Sequence, residues 1–359
     1  MRAKGVFSLG IAVVSSLAAC GSDRDSLFTA DGGESISVSA GSSTSDAADS
    51  TAEGLDTGDV LETGSTSLDD PPGDEGTKFD LGNPDAGPLP EHGGCEKVDI
   101  LFIIDNSGSM ADEQINIATS VPGFVDGIQN TLADAESYHV GVITTDAYSG
   151  NAQGCTAIGS LVTQTSGTDS SNSVCTPFAD GFRFMTQNDD LGTKFACTAR
   201  PGTSGDGDER PMDAVRAALS PNMNGAGACN AGFLRDDALL VLVFITDEED
   251  DHETVPIFGF QFGSAGHPPD WFADIVARKA GIEENIVVLS LVGHPKPNAC
   301  PANQWDGFDG AEIATRIIEF TNMFTHGFVG DICAPSYAPI FDEAIAVIDT
   351  ACGGFTPPG

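Results

Sequence analysis

The sequence VDILFIIDNSGSM, residues 98–110, joins a strongly apolar segment to a short polar loop. Its first seven residues, 98–104, are apolar except for Asp99, which is the pattern of a strand buried on both faces of a sheet. The run ALLVLVFI at residues 238–245 has the same character. Strands of this kind belong to parallel sheets that helices cover on both faces. The two runs therefore predict an α/β fold.

Strand and helix patterns alternate along the rest of residues 95–352. Further strands are predicted at residues 139–143, 286–292 and 327–332, with short strand-like pieces at 161–162 and 182–184. Helices are predicted at 112–132, 211–219, 271–280, 312–323 and 340–350, and Pro122 is expected to kink or split the first. This order predicts a doubly wound, mostly parallel sheet with helices on both faces. Residues 147–200 and 248–270 are long insertions, in which we expect specificity to lie.

Polar loops follow three of the predicted strands. They are Asp105 to Met110, Thr144-Thr145-Asp146, and Thr246 to Asp251. Because ligands of doubly wound folds bind at the carboxyl ends of the strands, we expect these loops to converge on one edge of the sheet.

The first loop, Asp105-x-Ser107-x-Ser109 directly after a buried strand, resembles the metal-ion-dependent adhesion site of von Willebrand factor type A domains. In that family the Asp and both Ser hydroxyls hold a divalent cation, together with a Thr from a later loop and an Asp that ends the fourth strand. Asp247 matches the last position in context and order. The resemblance covers roughly residues 97–351. It implies Mg²⁺, Ca²⁺ or Mn²⁺, which oxygen ligands suit on chemical grounds as well. Read alone, the motif would be a helix-capping turn.

The ligand that the family takes from a later loop, a Thr, is not found at the expected position in this sequence. The pattern expects a Thr about five residues before the Ala of a following helix, and counting back from Ala214 gives Glu209. Thr203 is the alternative, six residues further back. Glu209 would place three carboxylates around the cation, which raises its affinity and favours Ca²⁺. It also weakens the case that a carboxylate of a partner completes the shell, because like charges repel.

The amino terminus has the pattern of an export signal. Basic Arg2 and Lys4 precede a short apolar run, and Leu17-Ala18-Ala19-Cys20 resembles a bacterial lipobox, in which the Cys is lipidated. The alternative is an ordinary signal peptide with an incidental Cys20. We expect a lipoprotein signal at residues 1–20 and a lipid anchor as the only contact with the membrane.

Residues 21–94 differ sharply in composition from the rest. They hold 17 acidic residues, two basic ones (Arg24 and Lys78) and only two aromatics, Phe28 and Phe79. Such a segment buries too little apolar surface to offset its ordering entropy, so we predict a disordered acidic tether. The folded domain is then residues 95–352, followed by a tail at 353–359.

Eight cysteines remain when Cys20 is set aside as lipid-bearing. An even number in an exported chain predicts up to four disulfides. The predicted pairs are Cys95–Cys352, which would clasp the ends of the domain, and the sequential neighbours Cys155–Cys175, Cys197–Cys229 and Cys300–Cys333.

The net charge of −39 argues against nucleic acid as a partner, because phosphate binding needs a basic surface. An enzyme is also disfavoured: Asp105 lacks a second Asp two residues on, and HExxH, GxSxG and P-loop motifs are absent from the sequence. We expect an adhesion or binding module, anchored in the bacterial cell envelope at the outer membrane or cell surface, that recognises an extracellular or envelope protein through its cation. The alternatives are a metal-dependent hydrolase on a doubly wound fold and an envelope-assembly protein with a structural metal.

Other polar and aromatic residues near this edge have simpler interpretations. Residues 248–253 are expected to form a solvated acidic loop rather than a second calcium site. His252, His267 and His294 are expected at the surface, and the aromatics of residues 258–272 are expected to pack locally.

Overall fold

The computed structural model describes residues 94–132, 135–252, 254–255, 260–295 and 310–358. All of them lie in the second of the two units into which the chain divides, Phe79–Gly359. The predicted signal peptide, the predicted tether up to residue 93, Cys20 and Cys300 lie outside the described residues.

The described residues form a main sheet of six strands and a separate pair of short strands, and the main sheet confirms the predicted doubly wound architecture. In chain order, the eight strands of the two sheets are β1 (Lys97–Ile104), β2 (Ser137–Thr144), β3 (Met185–Thr186), β4 (Leu239–Ile245), β5 (Thr254–Val255), β6 (Phe260–Gln261), β7 (Ile286–Val292) and β8 (His326–Asp331). The main sheet has the order β3-β2-β1-β4-β7-β8, and β5 pairs with β6 alone. All neighbours in the main sheet are parallel except β2 and the short edge strand β3.

Helices cover both faces of this sheet, as the apolar strands require. They are α1 (Ala111–Thr131), α2 (Leu191–Thr198), α3 (Pro211–Ala218), α4 (Pro221–Asn224), α5 (Pro268–Ala277), α6 (Thr315–Thr321) and α7 (Ala338–Gly354). Alternate residues of β1 point to opposite faces: Phe102 packs with α1, α2 and α7, and Ile103 packs with α3, α5 and α6. Each face of the sheet therefore has its own apolar core.

Three local features differ from what was expected. Pro122 does not split α1, since it lies on the exposed side of the helix, where water can satisfy the carbonyl that loses its amide partner, and the kink stays a prediction. Helix α2 was not predicted, although Asp190 caps it by accepting a hydrogen bond from the Thr193 amide at 3.3 Å. The strand-like pieces at 161–162 and 182–184 lie outside the strands, and β3 supplies the sheet edge instead.

The disulfides confirm the clasp of the domain ends but not the sequential pairing. Cys95 bonds to Cys352 across a sequence separation of 257 residues. The other two described bonds are Cys155–Cys229 and Cys175–Cys197, so the predicted pairs Cys155–Cys175 and Cys197–Cys229 were wrong. The fold sets these pairs, since the insertion places Cys155 against residue 229 and Cys175 against α2. Cys333 is disulfide-bonded, but its predicted partner Cys300 lies outside the described residues.

The polar residue of β1, Asp99, is fully buried and paired. The Arg235 amide and side-chain Nε donate to its two carboxylate oxygens at 2.7 and 2.8 Å. Burial raises the pKa of Asp99 to about 6 despite this guanidinium. His139 lies 3.4 Å from Asp99, its Nδ1 donates to the Phe233 carbonyl at 2.8 Å, and burial lowers the pKa of His139 to about 4. This cluster anchors the strand end opposite to the loops discussed below.

Candidate metal centre

The central strands β1 and β4 bring two of the predicted loops together. The two strands are parallel neighbours in register from Val98 with Leu239 to Ile104 with Ile245. The Asp105 amide continues this pairing by donating to the Ile245 carbonyl at 3.0 Å. The Asp105 and Asp247 loops therefore leave the sheet side by side, at the point where the winding of the chain reverses.

The first loop folds back on its own carboxylate. Asp105 is fully buried and accepts hydrogen bonds from the Ser107 amide at 2.7 Å and from the Thr246 hydroxyl at 2.6 Å. The Ser107 and Ser109 hydroxyl oxygens lie 3.0 Å apart, and either can be the donor. The alternate residues Asp105, Ser107 and Ser109 thus direct their oxygens toward one region, as the motif predicts.

The Asp247 loop closes a second side of this region. The Ser109 hydroxyl donates to Asp247 at 3.1 Å and approaches Glu248 at 3.4 Å. Asp247 is almost fully buried, and the Glu312 amide donates to its backbone carbonyl at 2.8 Å. Four predicted ligands, Asp105, Ser107, Ser109 and Asp247, are accordingly joined by one hydrogen-bond network.

A third loop, ahead of α3, brings Glu209 to the same edge. The Gly205 amide donates to the Asn106 carbonyl at 2.8 Å, and the Arg210 amide donates to the Thr145 carbonyl at 3.2 Å. A Cβ atom at Gly205 would lie 2.4 Å from the Asn106 side chain, so only glycine allows this close approach. These contacts hold Glu209 between the loops after β1 and β2.

Glu209 differs from every other side chain of this cluster. It is only 3% exposed, and neither of its carboxylate oxygens has a hydrogen-bond partner among the described residues. A buried carboxylate without partners is costly, because the water it loses is not replaced. The nearby Thr145 hydroxyl offsets this cost only in part, which leaves the two oxygens open to a further ligand.

Thr203, the alternative middle ligand, lies elsewhere. Its hydroxyl donates to Asp169 at 2.8 Å, and its amide donates to the Thr168 carbonyl. The structure therefore associates Glu209, rather than Thr203, with the Asp105 loop. Asp146 also borders the cluster, and one of its oxygens accepts from the Asp206 amide at 2.9 Å.

Burial, followed by repulsion from neighbouring carboxylates, raises the pKa values of the acidic side chains at this edge of the sheet. Burial raises the pKa of Asp105 to about 6, and burial with the charge of Asp105 raises the pKa of Asp247 and of Glu248 to about 8. For Glu209, burial and then Asp105 raise the pKa well above its ordinary value, and a nearby Thr145 hydroxyl opposes the rise only in part. The charges that raise these values are in each case other carboxylates. Among the described residues, the largest charge effects on this cluster are therefore repulsive.

This donor set fits a hard divalent cation. It consists of oxygen atoms only, and Glu209 leaves two of them without partners. In the described part of the chain, no group of three or more His, Cys, Asp or Glu side chains has the arrangement of a metal site. Joint coordination by Asp105, Glu209 and Asp247 would therefore require these side chains to move closer together, with the two serine hydroxyls as further ligands.

Two contributors to the site were missed in the sequence. Thr246 directly precedes Asp247 and donates to Asp105. Gln114, in the first turns of α1, donates to the carbonyls of Asp105 and Gly202 at 3.1 and 2.9 Å, and accepts from the Gly202 amide. The position of Thr246 beside a predicted ligand was a usable signal, whereas Gln114 required the tertiary structure.

Trp271 packs in the interior as expected, and His252 and His267 lie at the surface, which was also expected. Trp271 is fully buried, and the Arg316 guanidinium lies 4.4 Å from the centre of its ring. The His252 and His267 rings lie 4.5 Å apart, and His267 precedes α5 as its capping residue. Phe258 lies outside the described residues.

Comparison with known proteins gives only distant likenesses. No family model matches the chain, and no curated protein matches it. Similar solved structures include proximal thread matrix protein 1 from the mussel byssus (16% identity, TM-score 0.36), the pilus adhesin SpaC from Lactobacillus rhamnosus GG in its open conformation (14%, 0.36) and the manganese-loaded TRAP protein of Plasmodium vivax (14%, 0.34). Each match covers 72% of this chain, and 49%, 30% and 74% of the respective structures. The chain thus spans about half the length of the first and less than a third of the second.

The three described disulfides indicate a protein that resides in an oxidising, extracytoplasmic compartment. Among the described helices, none combines the length and the apolar character needed to cross a bilayer.

Proposed function

We propose that this protein is a lipid-anchored, extracytoplasmic binding module of the von Willebrand factor type A kind, which recognises a protein partner at a divalent-cation site. The observation that carries the proposal is the Glu209 carboxylate, which is buried near Asp105 and has no hydrogen-bond partner in the part of the chain that the structure describes. A divalent cation would balance its charge and supply the missing partners.

The proposed ligands are Asp105, Ser107, Ser109, Glu209 and Asp247. Thr246 and Gln114 hold the Asp105 loop in place, and Glu248 adds further negative charge. Mg²⁺, Ca²⁺ and Mn²⁺ all fit the oxygen donors, and Ca²⁺ fits best where three carboxylates must be accommodated. A cation held there would offer a remaining coordination position to an oxygen atom of the partner.

Binding rather than catalysis is supported by what the edge of the sheet contains. The buried groups beside the proposed ligands are carboxylates, hydroxyls and the side-chain amides of Asn106 and Gln114, and the sequence offers none of the nucleophile motifs of hydrolases. The predicted lipid attachment at Cys20 would place the domain in the cell envelope, on the end of the acidic residues 21–94. The ligand is proposed to be another extracellular or envelope protein.

The cation site is tested first by thermal melting of the protein in chelator and in excess Mg²⁺, Ca²⁺ or Mn²⁺. A ligand bound only by the native state raises the melting temperature by mass action. We expect such a rise in the wild type and in the control variant Asp206→Asn, whose exposed side chain lies on the Glu209 loop. Asp105→Ala should abolish it, and an unchanged melting temperature in the wild type would contradict the proposal.

The partner and the anchor require separate tests. Affinity capture from envelope extracts should recover a protein with the wild type in divalent cation, and lose it with chelator or with Asp105→Ala. Equal recovery under all three conditions would argue against recognition through the cation. Cys20→Ser should release the protein from membranes, and continued membrane association would refute the lipid anchor.

A further inference from the structure

Three side chains around the candidate metal centre carry buried oxygen atoms that have no hydrogen-bond partner among the described residues. The atoms are both carboxylate oxygens of Glu209, Oδ1 of Asn106 and Oδ1 of Asp146. Glu209, Asn106 and Asp146 are 3%, 1% and 7% exposed, so water at the surface does not satisfy these atoms. Each of them carries a desolvation cost, because the hydrogen bonds that it makes in water are not replaced.

The ends of strands β1 and β2 place Asn106 beside Asp146. The two strands are parallel neighbours, and their register extends to the pair Ile104 and Thr144. Asn106 and Asp146 each lie two residues beyond the end of their strand, so the chain carries them away from the sheet at the same level. The two side chains therefore belong to neighbouring loops at the edge of the sheet that also holds Asp105.

The segment ahead of α3 joins Glu209 to both of these loops. The Gly205 amide donates to the Asn106 carbonyl at 2.8 Å, and the Asp206 amide donates to Oδ2 of Asp146 at 2.9 Å. The charge of Asp146 contributes to raising the pKa of Glu209, as expected of neighbouring carboxylates. The three side chains with free oxygen atoms therefore surround one small region.

The free oxygen atoms of this region need a hydrogen-bond donor. Carboxylate oxygens and the carbonyl oxygen of an asparagine side chain only accept hydrogen bonds. Arg210 follows Glu209 in the chain, but its Nε atom lies 3.9 Å from Asp208 and makes no hydrogen bond among the described residues. A water molecule is a suitable donor, because its two protons can reach two acceptors while its oxygen faces a cation.

We propose that Asn106 and Asp146 position a water molecule in the coordination shell of the cation, on the side of Glu209. This inference rests on the proposed function, because it requires a cation at the site. Mg²⁺ and Ca²⁺ commonly keep water among their oxygen ligands in proteins. Acceptors that hold such a ligand from outside fix its orientation and add to the affinity for the cation. Asn106 and Asp146 are thus positioning residues that do not touch the cation.

The test is the affinity of the full chain for Mn²⁺, measured from the electron paramagnetic resonance signal of the free ion. Asp146→Asn keeps an oxygen atom that can accept from the Asp206 amide, but its NH₂ group puts a donor where the free acceptor was. We expect this variant to bind Mn²⁺ about tenfold more weakly or worse, as is usual when an outer partner of a metal site is lost. Asp206→Asn, an exposed change of charge on the adjoining segment, should bind Mn²⁺ as the wild type does.

A second variant, Asn106→Ala, removes the other acceptor without changing the charge. It separates the positioning of water from the simple loss of a negative charge, and we expect it to weaken Mn²⁺ binding about tenfold as well. The double variant Asn106→Ala/Asp146→Asn should bind hardly more weakly than the weaker single variant, because both side chains hold the same water molecule. Electron–nuclear double resonance of the wild type in deuterium oxide should show deuterium couplings from water bound to Mn²⁺.

The proposal is overturned by unchanged Mn²⁺ affinity in either single variant, by additive effects in the double variant, or by the absence of water on Mn²⁺ in the wild type. A melting temperature of Asp146→Asn below that of the wild type in chelator would also overturn it, since the oxygen would then already have a partner. If the wild type binds Mn²⁺, Asp105→Ala does not, and Asp146→Asn binds as the wild type does, the proposed function stands and only this inference fails. A wild type that binds no Mn²⁺ would contradict both.

Discussion

Replacing Glu209 by Met changes stability in opposite directions with and without a divalent cation. Met is similar in length to Glu and carries no oxygen atoms. The substitution removes a carboxylate that is 3% exposed and whose two oxygens have no hydrogen-bond partner among the described residues. It also removes a neighbour that opposes the charge of Asp105.

The expected magnitude follows from these contacts. An unsatisfied buried polar group costs about 1–3 kcal/mol, so in chelator the variant should be more stable than the wild type by about 2 kcal/mol. For a domain of this size, that corresponds to a rise in melting temperature of roughly 4–8 °C. In a cation at one hundred times its dissociation constant, the wild type gains about 2.7 kcal/mol and the variant gains little. The order of the two melting temperatures should therefore reverse or become equal.

Differential scanning calorimetry of both proteins, in chelator and in excess Ca²⁺, measures this directly. Asp206→Asn serves as the control for a change of charge on the same loop, and it should behave like the wild type in both conditions. If Glu209→Met melts below the wild type in chelator and retains the full response to Ca²⁺, then Glu209 is a packing residue and the reasoning is refuted.

Three further predictions concern the scaffold. The double variant Cys95→Ser/Cys352→Ser should lose about 2–5 kcal/mol of stability in guanidinium denaturation, because the lost disulfide closes a loop with a sequence separation of 257 residues. An unchanged denaturation midpoint would contradict this. As the pH is lowered from 6.5 to 4, the free energy of unfolding of His139→Gln should fall less than that of the wild type. Burial lowers the native pKa of His139 to about 4, so over this pH range the unfolded chain binds a proton that the native state does not. This difference lowers the free energy of unfolding of the wild type by an amount on the order of 2 kcal/mol. Equal slopes of stability against pH in the two proteins would contradict the prediction. Arg316→Met should speed hydrogen exchange at residues 248–251, because Arg316 donates to the Asp250 and Asp251 carbonyls and stacks on Trp271, and unchanged exchange would show that other contacts hold this loop.

The parts of the fold that the sequence predicted well are those that depend on local pattern. Strand β4 is a continuous apolar run and β1 is apolar except for Lys97 and Asp99, which is the composition of strands buried on both faces of a sheet. The convergence of the Asp105 and Asp247 loops followed from the topology, because parallel strands end at the same edge.

The features that were missed depend on contacts between distant segments. Cys155 and Cys175 are close in sequence, yet their partners are Cys229 and Cys197, since the insertion folds against α2 and the segment after α4. The segment 332–337 packs on α1, where the Asn116 side chain donates to the Ala334 carbonyl across a sequence separation of 218 residues. Neither arrangement leaves a periodic signal in the sequence.

The central claim is that a divalent cation binds between the loops that follow β1 and β4 and the loop that precedes α3. Crystals of the protein grown in Mn²⁺ and measured at the manganese absorption edge test this most directly. The account predicts one anomalous peak per chain, within coordination distance of Asp105, Glu209 and Asp247 and absent from Asp105→Ala crystals. A crystal with saturating Mn²⁺ and no peak at these residues, or with the same peak in Asp105→Ala, would contradict it.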